Sequence, residues 1–104
     1  MGLTVSEAPI TLDATVTVLP EVVFKELRGE AVLLDLASGI YFGLDETSTR
    51  LWQLLSSHGS LRRAFDDMLA EFDVEPDRLQ RELIDFVAEL TRRRLVSLNP
   101  PTTR

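Results

Sequence analysis

Three short strand-like runs followed by three segments of helical periodicity predict an α+β domain. In it, a three-stranded antiparallel meander leads into three helices. The runs Val22–Leu27, Ala31–Asp35 and Ile40–Leu44 are rich in β-branched, aromatic and aliphatic residues and are separated by turn-forming residues. From Asp45 onward the spacing of apolar residues changes from strand-like to the i, i+3, i+4 pattern of helices packed on a core. The chain has 104 residues, 44% hydrophobic and 27% charged, enough for one domain with a small core.

Before the meander, residues 1–15 read as a poorly anchored extension. Within and just after it, Thr15-Val16-Thr17-Val18 alternates as a short strand does, until Pro20 interrupts it. Arg28-Gly29 turns Val22–Leu27 into Ala31–Asp35, whose continuous apolar character suits a central strand. Leu36–Gly39 forms the second turn, and Gly39 supplies the positive φ that such hairpin loops need. With Ala31–Asp35 in the middle, Val22–Leu27 and Ile40–Leu44 become the two edges.

Asp45 is placed to cap the first helix, which runs to about Leu55 with Leu51, Trp52, Leu54 and Leu55 inward, and Ser57-His58-Gly59 ends it. Ser60 caps the second, where Leu61, Ala64, Phe65, Met68, Leu69 and Phe72 share a face. Pro76 opens the third at the position where a missing N–H costs nothing, and that helix reaches about Arg93. Leu95–Leu98 reads as a terminal strand and residues 99–104 as a frayed tail, so the domain proper spans 16–98.

Composition excludes several functions. The net charge is −6, with −5 carried by residues 1–50 and −1 by residues 51–104. An acidic domain repels phosphate backbones, so nucleic acid is not expected as a partner. No apolar run approaches the ~20 residues of a membrane span. Met1–Ala14 also lacks the basic start and apolar middle of a signal peptide, so a cytoplasmic location is expected. Met1–Ser6 matches an N-myristoylation pattern, but a motif of this length with three wildcards arises by chance. Cysteine is absent, which excludes disulfides, thiolate nucleophiles and zinc–thiolate sites. There is no metal set, phosphate loop or nucleophile elbow, so neither a cofactor nor catalysis is expected. His58 is the single histidine and stands in a turn, where exposure is commoner than chemistry.

Two features point to binding. An edge strand at Ile40–Leu44 offers unpaired backbone groups to a guest strand, and Gly43 suits close backbone approach as well as it suits a plain kink. The third helix carries more apolar surface than one seam needs. Leu79, Leu83, Phe86, Val87 and Leu90 share one face, while Ile84, Ala88, Thr91 and Leu95 form an adjacent strip. That strip is either a broad core face or the wall of a groove beside Ile40–Leu44.

In order, Val32-Leu33-Leu34-Asp35, Gly39-Ile40-Tyr41-Phe42-Gly43-Leu44-Asp45-Glu46-Thr47 and Leu51-Trp52-Gln53-Leu54-Leu55 resemble the PqqD family, also called RiPP recognition elements. The resemblance extends from about Thr17 to Leu98 and implies a winged helix-turn-helix-like arrangement. It implies a non-catalytic adaptor that binds the leader of a ribosomally made precursor peptide. The leader adds as a strand to Ile40–Leu44, packs on the third helix, and is presented to a separate modifying enzyme or leader protease. Lasso-peptide maturation and quinone-cofactor synthesis are both settings within the family. The peptide contacts carried over are Ile40, Tyr41, Phe42 and Gly43 on the strand, with Leu83, Ile84, Val87 and Thr91 on the helix. Simple core packing is the competing reading for each helix residue.

Two other functions compete with this one. A winged helix suggests DNA binding by fold analogy, but its would-be recognition helix opens with Glu75, Asp77 and Glu82. Arg92-Arg93-Arg94 at the far end suit the helix macrodipole first, a partner-docking patch second and DNA last. A structural homodimer through the edge strand is the other competitor.

Overall fold

The computed structural model describes residues 10–28 and 30–101. The myristoylation-like start, Gly29 of the first turn and residues 102–104 lie outside the described residues. The elements are β1 (Thr15–Val18), β2 (Val22–Leu27), β3 (Glu30–Asp35), β4 (Tyr41–Leu44), α1 (Glu46–His58), α2 (Leu61–Glu71), α3 (Pro76–Arg92) and β5 (Val96–Asn99). The fold is α+β, as the sequence predicts. β2, β3 and β4 form the antiparallel meander with β3 central, and β1 pairs antiparallel with β5 as a separate ribbon. Among the described residues no helix is long and apolar enough to cross a membrane.

Local chemistry explains the helix boundaries. The Asp45 carboxylate accepts the Ser48 amide at 2.8 Å, the Ser60 hydroxyl accepts the Arg63 amide at 3.1 Å, and Pro76 sits in the first turn of α3. α1 runs on past Leu55 to His58, because Ser56 and Ser57 are compatible with helix and the stop signal is Gly59. Gly59 lies at φ 77° and donates to the Leu55 carbonyl. A Cβ there would stand 2.7 Å from the Val16 carbonyl oxygen, so β1 packs against this turn only because it is glycine. His58 is half-buried rather than exposed: its Nδ1 accepts the Ser60 amide at 3.2 Å, and its Nε2 lies 3.8 Å from Asp67.

Just past the end of α3, Arg94 takes φ 61° without being glycine. Arg94 donates to the Thr91 carbonyl and Leu95 to the Leu90 carbonyl, the paired bonds of a Schellman motif. The chain then turns directly into β5.

The core lies between the inner face of the meander and the three helices, with Leu33, Leu51, Leu61, Met68, Leu83 and Leu90 among its fully buried side chains. The extension is better anchored than its sequence suggests. Leu12 and Ala14 are buried, Arg62 pairs with Asp13 at 3.0 Å, and Leu61 donates to the Ala14 carbonyl. At the other end, Asn99 is held in β5 opposite Thr15.

Candidate functional site

β4 is an edge strand, and hydrogen-bond alternation decides which of its backbone groups are unused. Asp35 donates to the Ile40 carbonyl at 3.0 Å, which makes Asp35 and Ile40 a hydrogen-bonded pair. The register then makes Leu33–Phe42 and Ala31–Leu44 the next such pairs, with Leu34–Tyr41 and Val32–Gly43 between them. Tyr41 and Gly43 therefore turn their N–H and C=O groups away from β3. Among the described residues no strand pairs with that side. The space where a Gly43 Cβ would stand is also empty to 4 Å.

The Asp35–Ile40 hairpin is held locally. Asp35 accepts from the Ala37 amide and the Ser38 hydroxyl, and Gly39 takes φ 77°. Alternation predicts Ile40 on the core side with Phe42 and Leu44. Leu44 is buried and Phe42 half-buried, but Ile40, at the loop end of the strand, is 61% exposed. Tyr41 is 69% exposed, so two large apolar side chains stand in solvent at the start of the edge.

Beside β4 runs a groove walled by α3. Phe42 stacks on Phe86 with ring centroids 6.4 Å apart, and the Arg93 guanidinium lies 5.1 Å from the Phe42 ring centroid. On one side of Phe42 the groove opens into a depression of about 760 Å³, floored by Leu51, Met68 and Phe86 and rimmed by Asp73, Glu82 and Asp85. On the other side a smaller hollow lies among Ile40, Tyr41, Arg93 and Leu95. From Arg78 to Arg93 the helix covers about 22 Å, the span of about seven extended residues.

The α3 wall differs from the predicted one. Leu83 and Val87 are 0% exposed, part of the core and out of reach of any ligand. Ile84 and Thr91 are half-buried but stand roughly 140–160° round the helix from Phe86, away from the β4 flank. The Thr91 hydroxyl is returned to the Val87 carbonyl at 2.7 Å. The strip beside the core face thus lies on the flank of α3 away from β4, and the flank that meets β4 is polar: Glu82, Asp85, Glu89 and Arg93 around the aromatic Phe86. Sequence reasoning passed over these residues because acidic side chains on a helix ordinarily mean a solvated face.

Charges on this wall are unevenly satisfied. Glu89 accepts from both Arg92 and Arg93, with Arg93 Nε at 2.5 Å, and these bonds hold its carboxyl below the usual range. Arg78 pairs with Glu82 at 3.1 Å. Among the described residues neither Asp73 nor Asp85 has a cation within ion-pair distance. No group of three or more potential metal ligands occurs among them either.

Comparison with known proteins agrees with this geometry. The chain is similar to a solved structure of TbiB1 in complex with the TbiA(beta) leader peptide, with a TM-score of 0.72 and 33% identity, covering 78% of this chain and 94% of that one. It shares its fold with a lasso peptide synthetase B1 complexed with the leader peptide, with a TM-score of 0.73 and 24% identity over 80% and 98% of the two chains. No curated protein sequence matches significantly. The profile of coenzyme PQQ synthesis protein D matches residues 30–96, more than half of the chain. An open-edged meander in front of three helices, matched over that length, makes this chain a member of the PqqD family.

Proposed function

We propose that this protein is a non-catalytic adaptor that binds the leader segment of a ribosomally made precursor peptide by strand addition to β4. It presents the bound peptide to a separate modifying enzyme or leader protease, with lasso-peptide maturation, the setting of the lasso peptide synthetase B1 whose fold it shares, as the context. The observation that carries the reading is the outward-facing backbone of Tyr41 and Gly43, lying along an apolar-floored groove in a chain similar to a leader-bound relative. Main-chain bonds from that edge supply affinity, and the groove reads alternate side chains of the guest.

On the strand, the proposed contacts are Ile40, Tyr41, Phe42 and Gly43. On the helix they are Phe86 and the polar side chains beside it, in place of the buried Leu83 and Val87 and the distant Ile84 and Thr91. A net charge of −6 and an acidic α3 flank weigh against a nucleic-acid partner.

The test is fluorescence polarisation of labelled leader peptides from precursors encoded beside this gene, with a duplex DNA probe at the same salt. Saturable, sequence-dependent leader binding without a DNA response is expected. A folded protein that ignores every such leader, and whose size grows with concentration, would transfer the edge to self-pairing.

A further inference from the structure

The meander has a second open edge. Ala31, Leu33 and Asp35 use their backbone groups on the β4 side, so β3 bonds to β2 through Val32 and Leu34, opposite Lys25 and Val23. Val22, Phe24 and Glu26 therefore turn outward, and among the described residues no strand pairs with that side. The Val22 amide is returned to the Leu19 carbonyl at 3.1 Å, whereas the Phe24 and Glu26 amides have no backbone acceptor among the described residues. Leu36 donates to the Glu21 carbonyl at 2.9 Å, which carries the ladder one residue beyond β2. By alternation Glu21, Val23 and Lys25 then share the sheet face turned away from the core. Lys25, the single lysine of the chain, is exposed there and has no carboxylate of the described residues within ion-pair distance.

We propose that β2 pairs antiparallel with β2 of a second copy of this chain, about a two-fold axis at Val23. Outward-facing residues must meet outward-facing residues, so the permitted registers differ by two residues. The register centred on Val23 sets Lys25 opposite Glu21 of the second copy, and Glu21 opposite its Lys25. The neighbouring register sets Lys25 against Val23, and the one beyond sets Lys25 against Lys25, which like charge disfavours. With Val23 at the axis, the Phe24 amide of each copy meets the Val22 carbonyl of the other, and half-exposed Val23 gains an apolar partner. A lysine on an edge ordinarily guards against pairing. Here the strand brings its own counter-charge at the spacing that two-fold pairing needs. An edge of this length buries less than the ~1,200 Å² of a stable interface, so the dimer is a weak one. The joined sheet runs β4–β3–β2 in one copy and β2–β3–β4 in the next, with both β4 edges at its far ends. Dimerisation therefore leaves the proposed leader edge open and does not depend on it.

The test is sedimentation equilibrium of the full chain from micromolar to millimolar concentration, beside Lys25→Glu, Glu21→Lys and Gly43→Pro, each first shown to be folded by circular dichroism. The wild type should dimerise, and each charge variant alone should do so about tenfold more weakly, because two attractions become two repulsions. An equimolar mixture of Lys25→Glu and Glu21→Lys restores both opposite-charge pairs across the axis and should dimerise like wild type. Gly43→Pro should dimerise like wild type as well. A chain that stays monomeric up to about 1 mM overturns the proposal and makes Lys25 an edge guard. Self-association that ignores both charge variants, or that the mixture fails to restore, overturns the β2 register. Self-association lost in Gly43→Pro moves the contact to β4 and overturns it equally.

Discussion

Replacing Gly43 by proline separates backbone recognition from everything else this surface does. In the β3–β4 ladder Val32–Gly43 is a pair without hydrogen bonds, so the Gly43 amide faces the open edge and not β3. Proline removes that donor while leaving the meander's own bonds intact. Nothing lies within 4 Å of the Cβ position, so the ring meets no neighbour there. One lost main-chain bond is worth about 1 kcal/mol net. The ring also stands in the path of the guest backbone and weakens an adjacent bond, for about 2 kcal/mol in total, or roughly thirtyfold in affinity. Gly43→Ala keeps the amide: it should bind within about twofold of wild type and gain about 0.5 kcal/mol of stability by restricting the unfolded chain. Fluorescence polarisation with labelled leader, beside thermal melts, reads both effects. A cooperatively folded Gly43→Pro that binds leader as tightly as Gly43→Ala would refute strand addition at this edge.

Other expectations follow from the same geometry. Arg94→Gly should stabilise the fold by about 1 kcal/mol, because φ 61° strains any residue with a Cβ, and should raise Tm by about 4–8 °C in a thermal scan. Gly59→Ala should cost about 2 kcal/mol or more and lower Tm, since it combines φ 77° with a Cβ 2.7 Å from the Val16 carbonyl. Val87→Glu should lose the cooperative melt by placing a carboxylate in the core, whereas Ile84→Glu should fold and bind leader like wild type. Glu71, bonded to Arg50, and Glu89, bonded to Arg93, both have lowered pKa values. Their contribution to stability is full above the unfolded glutamate pKa and is lost as pH falls through the lower folded values. Melts recorded from neutral to acid pH should therefore show a smaller acid-side loss for Glu89→Gln than for wild type.

Much of the fold was legible because local chemistry decides it. Asp45, Ser60 and Pro76 each start the helix that their side chains suggest, and Leu79, Leu83, Phe86, Val87 and Leu90 form the buried face that their spacing implies. The strand half of the candidate site was legible for the same reason, since a meander's last strand is an edge by topology. The helix half was not. Periodicity says which residues share a face but not which flank of α3 turns toward β4. That azimuth comes from long-range packing such as Phe42 on Phe86. Anchoring of Leu12 and Ala14 was hidden likewise, because the partners of β1 lie at the opposite end of the sequence.

Thr17 and Asn99, which bond across the β1–β5 ribbon, are 82 positions apart in sequence. Closing a loop of that length before other contacts form costs about 4 kcal/mol of chain entropy, far more than the short hairpins β2–β3 and β3–β4 require. On that ground the meander and the helix pairs are expected to form before the ribbon, which φ-values near zero for substitutions in β1 and β5 would check. Opening runs in reverse: the ribbon's amides should exchange with solvent through partial unfolding in which β4 and α3 stay in place.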